Sequence, residues 1–349
     1  MTSLSISAPE SAPPDSWIAL AARRGSFYHD PRWVTTLGKC FRYPLTCLTA
    51  TRAETVVGAL ALAAVPGILG GRRLVSLPFS YAAGPVFEDE EVRLALLEAA
   101  RNLAASRKAR RLEIKQESAP GPAAPGFVRA EHYHAYRVPM DGGEKALWGR
   151  LHAGSTRRSI RKGERDGVLV RHGVDAADWT SLAQLEEATA HRHGVPAPPR
   201  RFFVDACRRL QEAGLADLYL ATVDGHGIAA GIVLWKGARD WIYAFGASRP
   251  ELLEYRPNHV LLWAAMKDAL AAGVGFDLGR AAPEQSGLVE FKLRWGGQPI
   301  ALGYDYWPSA GGLNVADRSR GPLAMAAKVW SRVPASMARA GSSLYRYLG

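Results

Sequence analysis

The sequence predicts an α/β fold with mixed sheets, organised as two units of similar plan. Strand-like and helix-like segments alternate along the chain, which is typical of α/β layers. From about residue 144 a second series of elements repeats the order of the first, in which a meander of strands precedes a helix and a further strand. The 349 residues are sufficient for two domains of ordinary size.

The first unit is predicted to span residues 15–140, after a disordered tail at residues 1–14. A short helix is expected over Asp15–Arg24, and a second helix is expected to begin near Pro31, since proline is favoured in a first helical turn. Hydrophobic periodicity then predicts strands in PLTCLTA, TVVGALALAA, RLVSLPF and RLEIKQE. Before the last of these strands it predicts one amphipathic helix, in EEVRLALLEAARNLAASRKA. HAYRVPM is predicted to be the last strand of this unit.

The second unit is predicted to span residues 141–310, followed by a basic amphipathic tail at 311–349. Helices are expected in KALWGRLHA, STRRSIRKGERDG, DWTSLAQLEEATAHRHG and RRFFVDACRRLQEAG, and strands in VLVRHG, LADLYLATVDG, HGIAAGIVLWKG and ARDWIYAFGAS. A helix over Asn258–Ala272 should then end at Gly273, before a strand over Val274–Leu278. In PIALGYDYW the apolar residues recur at every second position, as they do in a half-buried strand.

Three glycines, Gly273, Gly275 and Gly279, resemble a dinucleotide-binding fingerprint, but their context is wrong for one. The fingerprint follows a strand and opens a helix, with two residues between its last two glycines. In this chain three residues intervene, and the helix precedes the strand. Gly273 is therefore predicted to terminate a helix.

The composition is that of a folded protein with anionic partners. Apolar residues make up 48% and charged residues 22% of the chain, and the net charge of +11 favours phosphate-bearing substrates, nucleic acid or an acidic membrane surface. The three cysteines have no metal-binding spacing, and His191 and His193 lack further ligands, so no metal site is expected. The N-terminus lacks the pattern of a signal peptide, and a cytoplasmic location is expected.

The segment STRRSIRKGERDG concentrates positive charge on one helical face. If the segment is helical, one apolar side chain, Ile160, points away from five cationic ones: Arg157, Arg158, Arg161, Lys162 and Arg165. This face could bind a phosphate or a polyanion. It could equally be a solvated surface with Glu164 and Asp166 as partial partners.

The segment FDLGRAAPEQSGLVEFKLRWGG carries the other candidate residues. Asp277 and Arg280 lie at the end of a predicted strand, where ligands collect in open α/β sheets. Lys292 lies beside aromatic residues on a predicted helix. Its alternative role is structural, as a lysine that snorkels or forms a buried salt bridge with Asp277 or Glu290.

Four segments resemble the FemAB-like branch of the GNAT acyltransferase superfamily, whose members carry two GNAT-like domains. They are GRRLVSLPFSYAAGPVF, STRRSIRKGERDGV, RHGVPAPPRRFF and FDLGRAAPEQSGLVEFKLRWGG. The resemblance implies amide-forming transfer of an activated acyl or aminoacyl group to an amine, with no metal, no covalent enzyme intermediate and no permanently bound cofactor. It assigns to Lys292 the stabilisation of the developing oxyanion.

The remaining site residues are placed around Lys292. Asp277 and Arg280 are expected to shape the same cleft, with Asp277 as a possible proton acceptor from the attacking amine. The substrate-binding residues are predicted to be Arg157, Arg158, Arg161, Lys162, Asn258, His259, Glu290 and Tyr304.

The donor is predicted to be an acyl thioester on CoA or on an acyl carrier protein. However, the turn EYRPNHVLL has no glycine, and Pro257 removes one NH donor, so it differs from the glycine-rich turn that holds acetyl-CoA in the wider superfamily. Two alternatives remain open: aminoacyl-tRNA-dependent aminoacyl transfer to peptidoglycan bridges, and a non-catalytic polyanion-binding module.

The expected acceptor is a primary amine of a cell-envelope precursor or of a long-chain amine lipid such as a sphingoid-type base. The tail at 311–349 combines basic residues with apolar ones such as Trp330 and Leu344. That composition suits peripheral contact with the inner face of an anionic membrane, or packing on the protein's own domains.

Overall fold

The α/β fold with mixed sheets is confirmed by the computed structural model. It describes residues 3–67, 71–117, 123–308, 330, 333 and 341–348. In this part of the chain the strands form one 13-stranded sheet with both parallel and antiparallel pairs. Most of the basic tail at 311–349 lies outside the described residues.

In its described residues the first unit contains three α-helices and seven strands. They are β1 (Leu4–Ile6), α1 (Trp17–Arg24), α2 (Pro31–Phe41), β2 (Leu45–Arg52), β3 (Thr55–Pro66), β4 (Arg72–Val75), β5 (Val86–Phe87), α3 (Glu90–Ser106), β6 (Arg111–Glu117) and β7 (Val128–Val138). Asp30 caps α2 by accepting from the Arg32 amide, and Pro31 occupies the first turn as predicted.

The prediction of a disordered tail at residues 1–14 is wrong for part of that segment. Strand β1 pairs antiparallel with β2, and Glu10 forms a further bridge with Cys47. Leu4 and Ile6 pack against the core of the first unit. Burial of these alternating apolar side chains, together with the main-chain hydrogen bonds at the sheet edge, orders the segment.

The second unit contains six helices and six strands, which begin and end close to the predicted positions. They are α4 (Gly143–Arg150), α5 (Arg158–Arg165), β8 (Leu169–Gly173), α6 (Ala176–Arg192), α7 (Arg208–Glu212), β9 (Ala216–Val223), β10 (Gly227–Lys236), β11 (Asp240–Ser248), α8 (Pro257–Ala271), β12 (Gly275–Ala281), α9 (Ser286–Arg294) and β13 (Gln298–Trp307). π-Helical turns at Ala153–Arg157 and Phe202–Cys207 precede α5 and α7. Gly273 has a φ of 69° between α8 and β12, as a helix-terminating glycine requires.

The strands of the two units are interleaved. The order in the sheet is β1-β2-β3-β4-β6-β13-β7-β12-β11-β10-β9-β8, and β5 pairs with β3. The last strand, β13, thus lies between β6 and β7, and β7 pairs with β12. The domain boundary near residue 140 stays a prediction, since strands from both sides of it share hydrogen bonds.

Each unit contains one parallel strand pair joined by a crossover helix. In the first unit β4 pairs with β6 through α3, and in the second β11 pairs with β12 through α8. Such crossovers place a helix on one face of the sheet. The matching order supports the predicted repetition of plan, and the second of these pairs positions the site described below.

Aromatic side chains join the two units in a shared core. Trp33 of α2 contacts Trp235 of β10 at 5.1 Å between ring centroids and Phe202 at 6.5 Å. These residues belong to one cluster of buried side chains that spans both units. None of the helices in the described ranges is both long and apolar enough to cross a membrane.

Candidate active site

The parallel ladder between β11 and β12 ends partway along the two strands. The two strands pair in parallel only from Asp240 with Gly275 to Ile242 with Asp277. Beyond this point Ala244 bulges out of the β10–β11 ladder, and β12 shifts register against β7 between Asp277 and Arg280. We call the unpaired edges of the two strands, residues 243–246 of β11 and 278–280 of β12, the cleft. Its walls carry backbone groups that the ladder leaves free.

Lys292 of α9 places its ammonium group at the β12 wall of the cleft. The side chain is 3% exposed, and Nζ donates to the carbonyl oxygens of Leu278 and of Gly279, the latter at 3.1 Å. Burial lowers the pKa of Lys292 to about 8, although the nearby charge of Asp277 opposes this shift. Because an ammonium has three N–H donors, one remains for a substrate oxygen.

Asp277 lies beside Lys292 with both of its oxygens engaged. Its Oδ1 accepts from the Gly279 amide at 2.7 Å, and Oδ2 lies 3.4 Å from Nε of Arg137. The carboxylate is 1% exposed, and burial raises its pKa, opposed by Tyr81, Arg137 and the Gly279 amide. These contacts suit a fixed anion of the cleft wall, and the predicted role of Asp277 as a proton acceptor stays a prediction.

Arg280 and Tyr304 come together on the side of β12 that faces the first unit. Nη1 of Arg280 donates to the Tyr304 hydroxyl at 2.7 Å, and its guanidinium lies 4.2 Å from the ring centroid of Tyr133. Burial raises the pKa of Tyr304 to about 12, so its hydroxyl stays protonated at neutral pH. The two residues were predicted separately as catalytic and substrate-binding, and the structure joins them in one contact.

The start of α8 forms the far end of the cleft. Asn258 donates to the Ser248 hydroxyl at 3.1 Å, which ties α8 to the end of β11. His259 packs against Trp295, and burial lowers its pKa to about 4, so it is neutral. Arg256 precedes Pro257 in a left-handed conformation with a φ of 60°. This turn thus lacks the run of free amides that would hold a pyrophosphate.

The basic segment lies beside the start of α8. Gly163 of α5 approaches Val260 and the backbone of residues 255 and 256 closely. Arg157 donates to the Leu151 carbonyl, Arg161 lies 5.4 Å from the ring centroid of Trp148, and Lys162 pairs with Asp166. Arg158 is exposed. Part of the predicted basic face therefore has local partners, while Arg158 and Arg161 point their charges outward.

Glu290 does not join the other predicted residues. It lies on the exposed side of α9 and pairs with Arg294, one helical turn later. The structural alternative of a Lys292–Glu290 salt bridge is therefore wrong, because the two side chains leave α9 on different faces.

A pocket of about 240 Å³ lies between the two units, with Asp277 in its wall. The first unit contributes Tyr28 and Tyr81, and the second contributes Arg239 and Asp240. Arg137 of β7 also lines it and contacts Glu117, Asp240 and Asp277, which belong to three different strands. The pocket thus offers positive and negative groups within reach of the candidate catalytic residues.

Three polar residues in elements that border the site escaped the sequence analysis: Arg137, Tyr243 and Glu186. Arg137 and Tyr243 lie in ordinary strand patterns that give no signal. Glu186 gives one, because it falls on the buried face of α6 with Leu182 and Ala190, where an apolar residue is expected. In the described part of the chain, no group of three or more histidine, cysteine, aspartate or glutamate side chains is placed to hold a metal ion.

Comparison with known proteins defines the class to which this fold belongs. Residues 150–301 match the family model described as an acetyltransferase (GNAT) domain. This range contains α5, the β11–β12 cleft and Lys292. The second unit is thus similar to a GNAT domain, and the predicted resemblance is confirmed over these residues.

Individual relatives point to the FemAB-like branch. UDP-N-acetylmuramoylpentapeptide-lysine N(6)-alanyltransferase of Weissella viridescens is 28% identical over 121 residues, which cover 33% of this chain and 34% of the relative. The match thus spans about a third of the relative's length. The crystal structure of FemX has a TM-score of 0.66 at 17% identity, covering 86% of this chain and 97% of FemX.

A further solved structure shares the fold over most of its length. The C-terminal domain of a putative lysylphosphatidylglycerol synthetase from Agrobacterium fabrum has a TM-score of 0.56 at 15% identity, covering 90% of this chain and 93% of that domain. Together with the GNAT match and FemX, this confirms the predicted resemblance to the FemAB-like branch with tandem GNAT-like domains.

Proposed function

We propose that the protein is an amide-forming aminoacyltransferase that moves an aminoacyl group from aminoacyl-tRNA to a primary amine of a cell-envelope precursor. The observation that carries this proposal is the buried ammonium of Lys292 at the point where β11 and β12 separate. Attack of an amine on an ester carbonyl develops negative charge on the carbonyl oxygen. A fixed cation with one free N–H in a water-poor cleft stabilises that charge.

The donor is inferred from the start of α8 and from the basic face of α5. The Arg256–Pro257 turn offers few backbone amides to a CoA pyrophosphate. Arg158 and Arg161 on the neighbouring α5 instead present charge suited to a polyanion. The Weissella relative is named as an alanyltransferase, which also favours an aminoacyl group.

The acceptor is proposed to enter through the 240 Å³ pocket between the units. Asp277 lies in its wall and also accepts from the Gly279 amide beside Lys292, so the pocket and the cleft share this residue. Asp240 and Glu117 can attract an amine, while Arg239 can attract an anionic group of the same molecule. A precursor that carries both an amine and an anionic group fits this lining.

A second candidate function keeps the same chemistry with an acyl thioester as donor. The family match to an acetyltransferase domain favours it, since a GNAT fold suggests acyl-CoA as co-substrate. In that case Lys292 would stabilise the same oxyanion, and a thiolate would leave in place of a ribose hydroxyl. A long-chain amine as acceptor and an acyl carrier protein as partner belong to this candidate.

The two donors can be separated by one assay with the full chain. We would offer labelled aminoacyl-tRNA or labelled acyl-CoA, together with a UDP-linked muramoyl pentapeptide or an amine lipid as acceptor. The proposal predicts label in an amide product from aminoacyl-tRNA, abolished by ribonuclease treatment of the donor. Product from acyl-CoA alone would establish the second candidate, and product from neither would contradict both.

A further inference from the structure

Arg280 of β12 carries hydrogen-bond donors that the protein itself leaves largely unused. One N–H group, on Nη1, donates to the Tyr304 hydroxyl at 2.7 Å. Since a guanidinium has five N–H donors, four of them lack an acceptor in the described part of the chain. The side chain of Arg280 is exposed, whereas Tyr304 beneath it is 2% exposed. The remaining donors of Arg280 are therefore accessible to a bound molecule.

A bulge in β12 turns Arg280 toward the first unit. In a regular strand Leu278 and Arg280 would lie on the same face. However, β12 shifts register against β7 between Asp277 and Arg280, and Gly279 has a φ of 78°. Leu278 therefore packs in the core cluster that includes α8, while Arg280 contacts Tyr304 of the cluster that spans both units. Bulges that re-aim a side chain in this way are common next to active sites.

Two tyrosines hold the guanidinium of Arg280 in place. It lies 4.2 Å from the ring centroid of Tyr133, a cation–π distance, and the rings of Tyr133 and Tyr304 lie 5.6 Å apart. Tyr304 accepts from Arg280 through its hydroxyl oxygen, so the hydroxyl proton is left for a further acceptor. Because the side chain is already held, it loses less conformational entropy on binding a ligand than a mobile arginine would.

The charges around Arg280 match a ligand group with one negative charge. Lys115 lies directly opposite Tyr304 in the β6–β13 ladder and is 6% exposed. Its Nζ donates to the Leu77 carbonyl at 3.3 Å and lies 3.7 Å from Oε1 of Glu113. Lys115 and Glu113 thus offset each other, which leaves the charge of Arg280. A carboxylate has the matching charge, and its two oxygens can accept from two N–H groups of one guanidinium.

Arg280 and Asp277 lie on the same face of the sheet. Asp277 contacts Arg137 and Arg280 contacts Tyr133, and both partners belong to β7. Tyr133 and Arg137 are four residues apart in a segment that pairs with β13 without a register shift, so they share one face of β7. The pocket that is proposed to admit the acceptor has Asp277 in its wall. An acceptor that extends from this pocket along β7 reaches Arg280.

We propose that Arg280, held by Tyr304, binds a carboxylate of the acceptor, an inference that rests on the proposed function and narrows its acceptor class. Gly279, which precedes Arg280, accepts from Nζ of Lys292 at 3.1 Å. The carboxylate at Arg280 and the amine that attacks beside Lys292 therefore lie within about 10 Å of each other. An amino acid or peptide with a free carboxylate close to its amine meets this requirement. Arg280 thus determines specificity for the acceptor.

The first test compares Arg280→Met, Arg280→Lys and Tyr304→Phe with wild type in the transfer assay, with a UDP-linked muramoyl pentapeptide as acceptor. Arg280→Met should raise the acceptor KM about 10–100-fold and change kcat less than about threefold. Arg280→Lys should recover only part of the loss, because an ammonium keeps the charge but lacks the paired N–H groups. Tyr304→Phe should raise KM about 3–10-fold. Arg208→Met, which removes an ion pair with Glu212 on α7, is the control and should keep the wild-type KM.

Modified acceptors separate recognition of a carboxylate from a structural role. In one acceptor the peptide carboxylates are converted to amides, and in another the UDP group is removed. Wild type should show a raised KM for the amidated acceptor, and Arg280→Met should raise it no further. Removal of UDP should leave the effect of Arg280→Met unchanged. A full effect of Arg280→Met on the amidated acceptor would overturn the inference, as would an effect that disappears with UDP, since Arg280 would then bind a phosphate.

Titration calorimetry of the same acceptors without donor keeps the inference distinct from the proposed function. Arg280→Met should weaken the Kd of the unmodified acceptor about 10–100-fold, and Arg280→Lys serves the same comparison if Arg280→Met does not fold. This loss of affinity without transfer from aminoacyl-tRNA would defeat the proposed donor and leave the carboxylate site standing. Equal affinity of wild type and the folded variant, or binding to neither, would overturn the site.

Discussion

At the residue scale, Gly279 connects the two candidate catalytic side chains. Its amide donates to Asp277 and its carbonyl accepts from Lys292, so one peptide segment fixes an anion and a cation side by side. The residue has a φ of 78°, a conformation that glycine adopts without strain. A Cβ at this position would also lie 3.3 Å from the Tyr243 carbonyl oxygen, which is a tight contact.

Substitution of Gly279 tests this dependence. Gly279→Ala should lower the free energy of unfolding by about 1–2 kcal/mol, because an L-residue is strained in the left-handed region. It should also reduce kcat, since Asp277 and Lys292 would shift with the backbone. Urea unfolding and transfer kinetics measure the two effects. In Gly287→Ala, where a Cβ meets nothing within 4 Å, neither loss is expected, and equal losses in both variants would contradict the account.

At the element scale, the proposed donor contact of α5 depends on its packing beside the start of α8. Gly163 permits that close approach, since a Cβ there would clash with Val260 and the Tyr255 carbonyl. Arg158 and Arg161 are exposed on the same helix. The segment's sequence predicted the charge, but the neighbouring helix could only be seen in the structure.

Donor binding should therefore depend on salt and on Arg158. Arg158→Ala should weaken binding of aminoacyl-tRNA and reduce the slope of log affinity against log salt by about one, as expected for one lost phosphate contact. Filter binding at several salt concentrations measures the slope. Arg208→Ala on α7, where the arginine pairs with Glu212, is the control. A slope unchanged by Arg158→Ala would exclude this residue from the donor contact.

The individual elements of the site could be predicted from sequence because their signals are local. Gly273 terminates α8, β12 follows, and α9 carries Lys292 at the expected helical position. The pairing of β13 with both β6 and β7 could not be predicted, because strand pairing depends on contacts between residues distant in sequence. For the same reason the packing of α6 against β11 gave no sequence signal, apart from the charge of Glu186 on the buried face of α6.

At the scale of the whole molecule, Arg137 links the two units. It lies on β7 and contacts Glu117 of β6, Asp240 of β11 and Asp277 of β12. One guanidinium thus offsets the negative charge of three carboxylates, which belong to strands of both units. The buried Asp277 depends on it most, because it is nearly inaccessible to water.

Removal of this guanidinium should destabilise the protein as a whole. Arg137→Met should lower the free energy of unfolding by about 2 kcal/mol or more, since it leaves buried Asp277 without its ion pair. Arg150→Met removes an ion pair with the exposed Asp141 and should cost less than about 1 kcal/mol. Urea unfolding measures both variants. Similar losses of unfolding free energy in Arg137→Met and Arg150→Met would show that Arg137 has no special role between the units.

The central claim is that the Lys292 ammonium stabilises the transition state of amide formation. The most direct measurement is kcat for aminoacyl transfer by wild type, Lys292→Met and the control Lys267→Met, as a function of pH. We predict that Lys292→Met lowers kcat about 10²–10³-fold, and Lys267→Met does not. Wild-type kcat should fall as pH rises above about 8, where Lys292 loses its proton. If the folded Lys292→Met variant turned over as fast as wild type and showed the same fall of kcat at high pH, the account would be contradicted.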